Sequence, residues 1–426
     1  MSTKKQSVSY ITDISYPYSK SWDKNATNVK FEIESINVGT INAIRRTIIS
    51  QIKTFAFRTE PHDKNDIQII KNETALNNQI ICHRIGMIPI HIYNIDFKMD
   101  DYEFIIDVVN DTNFPKTITS KDIKILKIST NTYLSKEDVE HIFPKDPITG
   151  DYIIIVKLKP CYNIINYKLN SYKDELLNAK GKLFHFNIKA KASLSNGFEN
   201  SRYSPVTAIS YTYKINEEKV IIAEKEYIAS EIQNDKEKEL TPKTEEELSR
   251  YFQTTLKERY FYDNEEGEPT KFMFNLESVG VIPPLVIFHR GIQNLIEKVN
   301  TFLINLKTSN ENVITINASP NIPDGYQFTI LNEDDTLGNL IQENFFNKFC
   351  DNGELDYIGY KRVHPLEDKI IINILSSKYK DIDSIINNIF VHGCNSIIKH
   401  LKELQSDLEK QKEFVKELKS IKPINF

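Results

Sequence analysis

Residues 31–52 read FEIESINVGTINAIRRTIISQI, and residues 328–349 read FTILNEDDTLGNLIQENFFNKF. In the first stretch Phe31, Ile33 and Ser35 alternate with Glu32 and Glu34, the period of a half-buried strand. Ile41, Ile44, Ile48 and Ile52 then fall at spacings of 3, 4 and 4, one face of a helix that starts near Gly39 or Thr40. A shift of 297 positions lays Phe328 on Phe31, Ile330 on Ile33, Asn339 on Asn42, Ile341 on Ile44, Phe345 on Ile48 and Phe349 on Ile52. Agreement at six positions, one of them a polar Asn, indicates a duplicated strand–helix unit. Two like units can pack through a self-complementary, approximately two-fold interface, so the chain reads as a dimer fused into one polypeptide.

A packing surface for such a dimer lies near the C-terminus. Ile397, Leu401, Leu404, Leu408, Val415 and Leu418 follow 4, 3, 4, 7, 3 spacing, with Gln411 in the gap. That stripe predicts one long helix laid against a partner helix. A second helix is expected from about Pro283 to Leu306, and a third across residues 245–260 (EEELSRYFQTTLKERY). Residues 67–90 read as a strand, a turn at Asn72 and Glu73, a short helix and an extended exit at Ile88, Pro89 and Ile90. Short alternating runs such as YEFIIDVV (102–109) and LFHFNIKAKA (183–192) mark a mainly β segment inserted between the other elements.

The length, 426 residues, suits about three domains at roughly 150 residues each. An apolar share of 40% and a charged share of 27% fit a folded globular chain. The formal charge of −5 supplies no basic field for nucleic acid. No apolar run of membrane-spanning length occurs, and the N-terminal stretch lacks the apolar block of a secretory signal. Cys82, Cys161, Cys350 and Cys394 are too widely spaced for a zinc knuckle, and buried thiols are the better reading.

Motifs for catalysis are missing: the sequence has no phosphate-binding glycine loop, H-E-x-x-H, G-x-S-x-G or kinase catalytic loop. Two carboxylate clusters stand out, Asp100 with Asp101 and Glu333 with Asp334 and Asp335. Clustered acids can hold Mg²⁺, but the second cluster sits just before the repeated helix, where capping the positive helix end is the simpler role. His83, His289, His364 and His392 have no ligand-spaced neighbours and read as core or surface histidines. Arg45 and Arg46 flank the apolar stripe of the first helix, and physics alone leaves solvation and docking of a carboxylate-bearing partner equally open.

Several of these segments resemble one family, the alpha-like subunits of DNA-dependent RNA polymerase. INAIRR (41–46) is similar to its N-A-L-R-R helix, HRIGMIPI (83–90) to its H-R-L-G-L-I-P-[IL] segment, and Asn72-Glu73-Thr74 stands at its N-[ST]-[ST]. ENSRYSPV (199–206) resembles the stretch that closes the family's inserted domain, and FNLESVG (274–280) its returning strand. The second unit resembles the small partner subunit: NEDDTLGNLI (332–341) is similar to E-D-H-T-L-G-N-L-L with Asp335 in place of His, and YIGYKRVHPLEDKIIINI (357–374) to F-x-G-Y-x-x-P-H-P-L and its following strand.

The resemblance implies an α+β fold: two alpha-like dimerisation modules in pseudo-two-fold arrangement, with a mainly β domain inserted in the first. The expected boundaries are a tail (1–27), a large dimerisation domain (28–90 and 205–306), the inserted domain (91–204), a linker (307–323) and a small dimerisation domain (324–426). It implies a non-catalytic assembly platform that binds the second-largest and then the largest polymerase subunit, together with small polymerase subunits, without direct DNA contact and without a membrane. Arg45, Arg46, Arg84, Gly86 and Pro89 inherit the contact with the second-largest subunit. Ile41, Ile44, Ile48, Asn339, Ile341, Phe345, Ile397, Leu401, Leu404 and Leu408 inherit dimerisation. Both halves in one chain is an arrangement found in polymerases of some large DNA viruses, which implies an intracellular setting or a virion and host cytoplasm or nucleus. Fusion raises the effective concentration of the halves to the order of millimolar.

Departures from the family are also visible. Residues 91–204 contain only Cys161, so the metal centre of many large alpha-like subunits is not expected, and no cofactor is expected elsewhere. Asn78 and Gln79 replace an acidic pair, and the catalytic N-A-D-F-D-G-D loop is absent. Two rivals remain: a stand-alone interaction scaffold using the C-terminal helix, and a metal-dependent enzyme around Glu333, Asp334 and Asp335.

Overall fold

Alternation in the two repeated stretches becomes two four-stranded antiparallel sheets of the same order. The computed structural model describes residues 10–20, 26–112, 114–160, 184–237, 244–308 and 312–421. Strand β1 (Ile11–Ser15) pairs with β2 (Asn28–Glu34), which leads into helix α1 (Val38–Ser50). The chain then leaves through β3 (Lys53–Ala56), β4 (Ile67–Asn72), α2 (Asn78–Gly86), β5 (Tyr102–Asn110), β6 (Lys116–Thr119), β7 (Lys124–Lys127) and β8 (Thr132–Tyr133). It comes back by α3 (Lys136–Ile142), β9 (Ile154–Leu158), β10 (Phe184–Ala190) and β11 (Ser193–Asn196). Strand β12 (Val206–Tyr213), a helical pair α4 (Glu217–Glu237) and α5 (Glu245–Tyr251), β13 (Lys271–Ser278) and α6 (Pro284–Lys307) complete the first module.

The second module holds β14 (Ile314–Ala318), β15 (Tyr326–Leu331), α7 (Asp335–Phe345), β16 (Tyr357–Arg362) and β17 (Lys369–Leu375). A π-helical turn at Ile386–Val391 then feeds α8 (His392–Lys410), and α9 (Lys412–Ser420) follows. Sheet order is β1-β2-β13-β12 in the first module and β14-β15-β17-β16 in the second. Helices α1 and α6 of one correspond to α7 and α8 of the other. Contact runs between like elements, α1 on α7 and α6 on α8, as a two-fold relation requires.

The cores obey the same correspondence. Phe31 meets Phe288 of α6 with ring centroids 4.9 Å apart, and Phe328, its counterpart, meets Phe390 at 4.7 Å. All four rings are fully buried, each worth about 1.5–3 kcal/mol of transfer free energy. Ile48 seats against Gly291 of α6, and Phe345 seats against Gly393 of α8. A single apolar core runs through both modules, while the inserted body has its own, built around Phe57, Phe104 and Phe186. Pro284 at the first turn of α6 fits its fixed φ and missing N–H.

Five sequence expectations change. Residues 1–27 are not all tail, because β1 adds an edge strand to the first sheet. The linker is not unstructured throughout, because β14 pairs with β15. The inserted domain begins by Lys53 rather than 91: β3 pairs with β11, and β4 with β10, so residues 53–90 join its core. Helix α1 starts at its N-cap Asn37, whose side chain accepts the Thr40 N–H. The C-terminal stripe is broken at Gln411, whose ψ of 133° ends α8. The turn brings Phe414 into the core and leaves Val415 and Leu418 exposed. Of the cysteines, Cys394 is buried, Cys82 and Cys350 are half-buried, and Cys161 lies outside the described residues.

Candidate interaction interface

Helices α1 and α7 lie antiparallel, so that the C-terminal half of each meets the N-terminus of the other. The Arg46 guanidinium donates from Nε to Thr336 Oγ1 at 2.7 Å and from Nη2 to Asp334 Oδ2 at 3.0 Å. At the opposite end, the Glu343 carboxylate faces the Val38 and Gly39 N–H groups. Burial pushes the Glu343 carboxyl above its ordinary value, and those two N–H groups oppose the shift. A β-carbon at position 39 would meet that carboxylate, which is the movable end of the Glu343 side chain. Asn37 Nδ2 donates to Asn344 Oδ1 at 3.1 Å, and Asn344 Nδ2 to Thr40 Oγ1 at 3.2 Å.

The acidic cluster divides its labour. Glu333 pairs with Lys298 of α6 at 2.7 Å, Asp334 caps α7 through the Thr336 N–H, and Asp335 lies 3.9 Å from Arg362. Burial pulls Asp334 upward, but Lys298, the Thr336 hydroxyl and Arg46 outweigh it and hold the carboxyl below its usual range. Glu333 goes the other way, raised by burial against the attraction of Lys298. In the other cluster, Asp101 is absorbed in a turn, accepting the Ser129 N–H at 2.8 Å and its hydroxyl at 2.6 Å. Among the described residues no group of three or more His, Cys, Asp or Glu side chains is arranged to hold a metal ion.

The interface between α6 and α8 is partly polar. His289 Nε2 lies 2.9 Å from Glu409 and its ring stacks on Phe414, while Gln405 donates to Gln293 Oε1 at 3.2 Å. Glu417 of α9 accepts the Leu285 N–H at 2.8 Å at the start of α6 and the Tyr16 hydroxyl at 2.6 Å. Strand β1 is tied to the same helices: the Tyr10 and Ile11 N–H groups donate to Asp407 Oδ2 at 2.9 and 3.0 Å.

Ile41, Ile44, Ile48, Ile341, Phe345, Ile397, Leu401, Leu404 and Leu408 are all buried in the one core shared by the modules. Asn339 is half-buried beside Gly39. The five residues assigned to an outside partner lie on two parts of the fold. Arg46 bonds to Asp334 across the joint between α1 and α7 and keeps 36% of its side chain exposed. Arg45 is half-buried and bonds within its own helix, Nη2 to Asn42 Oδ1 at 3.0 Å. Arg84, Gly86 and Pro89 belong to the inserted body. Arg84 is exposed and donates to the Ile154 carbonyl at 2.8 Å. Gly86 is crowded by the Arg202 guanidinium, and half-buried Pro89 lies between buried Ile88 and Ile90. Around Arg84 the side chains of Ile80, Met87, Ile153 and Ile154 are exposed, an apolar rim on α2 and β9.

Sequence reading did not single out Glu343, Asn344, Asp407 or Glu417. The register of 297 places Glu343 on Arg46, so an opposite charge at one repeated position was the available signal. Asp407 and Glu417 sit on the polar flanks of the amphipathic helices α8 and α9, where nothing local distinguishes a clasp from a solvated charge.

The fold is that of a paired alpha-like dimerisation unit, and comparison with known proteins agrees. The RNA polymerase Rpb3/Rpb11 dimerisation domain matches residues 30–299, and matches again over residues 326–407. The chain belongs to this family, with one such domain in each half, as a fused alpha-like RNA polymerase subunit. It is 27% identical over 311 residues to the DNA-directed RNA polymerases I and III subunit rpac1 of Dictyostelium discoideum, covering 65% of this chain and 78% of that one. It is 25% identical over 293 residues to the DNA-directed RNA polymerase subunit Rpo3 of Thermococcus kodakarensis, covering 66% and 94% respectively. A conjugation stage-specific protein of Tetrahymena thermophila is 21% identical over 296 residues, covering 64% and 89%. No helix among the described residues is long and apolar enough to cross a membrane.

Proposed function

We propose that this chain is the non-catalytic assembly platform of a DNA-directed RNA polymerase, in which the prejoined modules present one face to the second-largest subunit and the largest subunit then joins. The observation that carries the reading is a difference between equivalent positions on α1 and α7. Gln342 of α7 is consumed internally, its Oε1 accepting the Tyr360 N–H at 2.9 Å. Among the described residues Arg45, at the same register on α1, bonds only to Asn42 one turn back and keeps donors for an outside carboxylate. The apolar rim around Arg84 supplies a second contact of the kind that anchors protein interfaces. A chain of formal charge −5 suits a platform that grips protein rather than DNA.

Arg45→Glu tests the reading. The purified variant should keep the wild-type circular dichroism and melting temperature but lose the second-largest subunit on co-purification, with affinity down by about 100-fold or more. Undiminished co-purification would remove Arg45 from the contact. The Mg²⁺-dependent enzyme reading has less support, since Glu333, Asp334 and Asp335 are each engaged with a cation or a cap.

A further inference from the structure

One repeated position carries opposite charges in the two modules. The register that lays Glu343 on Arg46 also lays Asp334 on Asn37 and Thr336 on Gly39. Each charge therefore reaches the equivalent place on the opposing helix. Arg46 meets the N-cap Asp334 and first-turn Thr336 of α7, and Glu343 meets the first-turn Val38 and Gly39 of α1, whose N-cap is the neutral Asn37. At α1 a carboxylate finds N–H donors and the positive end of a helix dipole. At α7 a guanidinium finds a carboxylate that already occupies that end.

Neither arrangement survives replacement of a module by its twin. Two first modules would each set Arg46 against an amide-capped helix N-terminus, donor against donor. Two second modules would set Glu343 against Asp334, carboxylate against carboxylate. We propose that the Arg46/Glu343 inversion is a pairing code, admitting one first module with one second module and rejecting like-with-like association between copies of this chain. The tether favours the internal partner through an effective concentration on the order of millimolar, and the code removes the competing partners. The proposal concerns only the joint between modules, so it is tested on the isolated full-length chain and stands or falls independently of which polymerase subunits dock outside.

The test removes the code without removing the fit. Arg46→Glu combined with Asp334→Asn gives both modules an amide N-cap and an opposing glutamate, so every pairing becomes permissible. Full-length R46E/D334N is expected to melt close to wild type yet self-associate, with light scattering reading an oligomer fraction about tenfold larger at concentrations on the order of 100 μM. Arg46→Glu alone sets a carboxylate beside Asp334 and should melt below Arg46→Gln, with Asp334→Asn restoring it. Exchanging the full set (R46E, D334N, E343R and N37D) hands the code to the opposite modules and should return a monomer. A folded R46E/D334N that stays as monomeric as wild type overturns the proposal, and so does a failure of Asp334→Asn to raise the melting temperature of Arg46→Glu.

Discussion

In the first module Ile48 fills the notch at Gly291; in the second, at the same register, Phe345 fills the notch at Gly393. Each of these apolar side chains is fully buried, and each helix pair keeps a glycine where the knob enters. Around this shared joint the modules have diverged in side-chain size while keeping the shape of the contact. On the polar flank they diverge in charge and in use: Arg46 opposes Glu343, and Arg45 bonds within its own helix where Gln342 is tied to β16. Packing tolerates substitution only with compensation, whereas a flank is free to specialise.

The comparison can be broken most severely at the larger knob. Phe345→Ala should lower the unfolding free energy by about 4 kcal/mol and Ile48→Ala by about 3 kcal/mol, measured by urea titration. Equal losses would mean that the smaller side chain sits in an equally rigid site. Next in size is Glu417, whose burial at the start of α6 pushes its carboxyl from an ordinary 4.5 up to about 7. The folded chain then binds more protons than the unfolded one between those values. The stability from this group is complete below the ordinary value and lost as pH rises through about 7. The loss is on the order of 3 kcal/mol. Glu417→Gln, which keeps an acceptor for the Leu285 N–H, should flatten melting temperature against pH over that window; an unchanged slope would assign the titration elsewhere.

Smaller effects sharpen the same contrast. Gly393→Ala meets a rigid phenyl ring and should destabilise by about 2 kcal/mol, whereas Gly291→Ala meets Cγ1 and Cδ1 of the smaller Ile48 side chain and should destabilise by about 1 kcal/mol. Differential scanning calorimetry reads both, and a reversed order would show that the ring moves more easily than the isoleucine. Least disruptive is Asp407→Asn, which weakens two charge-assisted bonds to β1. It should cost about 1 kcal/mol and appear as faster amide exchange in residues 10–15, with β14 of the other module unaffected.

Much of this frame was legible in the sequence because it is periodic. The duplicated strand and helix, the α6 span from Pro283 and the stripe from Ile397 to Leu408 each repeat at the spacing of their own element, so local pattern suffices. What escaped depends on partners far along the chain. Strand β1 has little alternation and is fixed by β2 and by Asp407, and β14 lies in an Asn- and Pro-rich stretch yet completes a sheet edge. The start of the inserted body at Lys53 is set by pairing with Asn196, which no window of residues contains. At the interface the apolar members were readable from their faces. Glu343 and Glu417 were not, because a carboxylate on a helix flank looks the same whether it meets water or another helix end.

The clasp between β1 and the terminal helices bears on the order in which the molecule can be completed. Tyr10 and Asp407 bond across 397 positions, and Tyr16 waits on Glu417. During synthesis the first sheet, the inserted body and even α6 emerge long before the residues that anchor the opening strand. Until the terminal helices of the second module are made, that strand has only β2 to hold it, and its full seating reports that those helices are present. A product lacking the terminal helices would leave the opening strand unlatched and the start of α6 without Glu417, a loose end open to proteolysis.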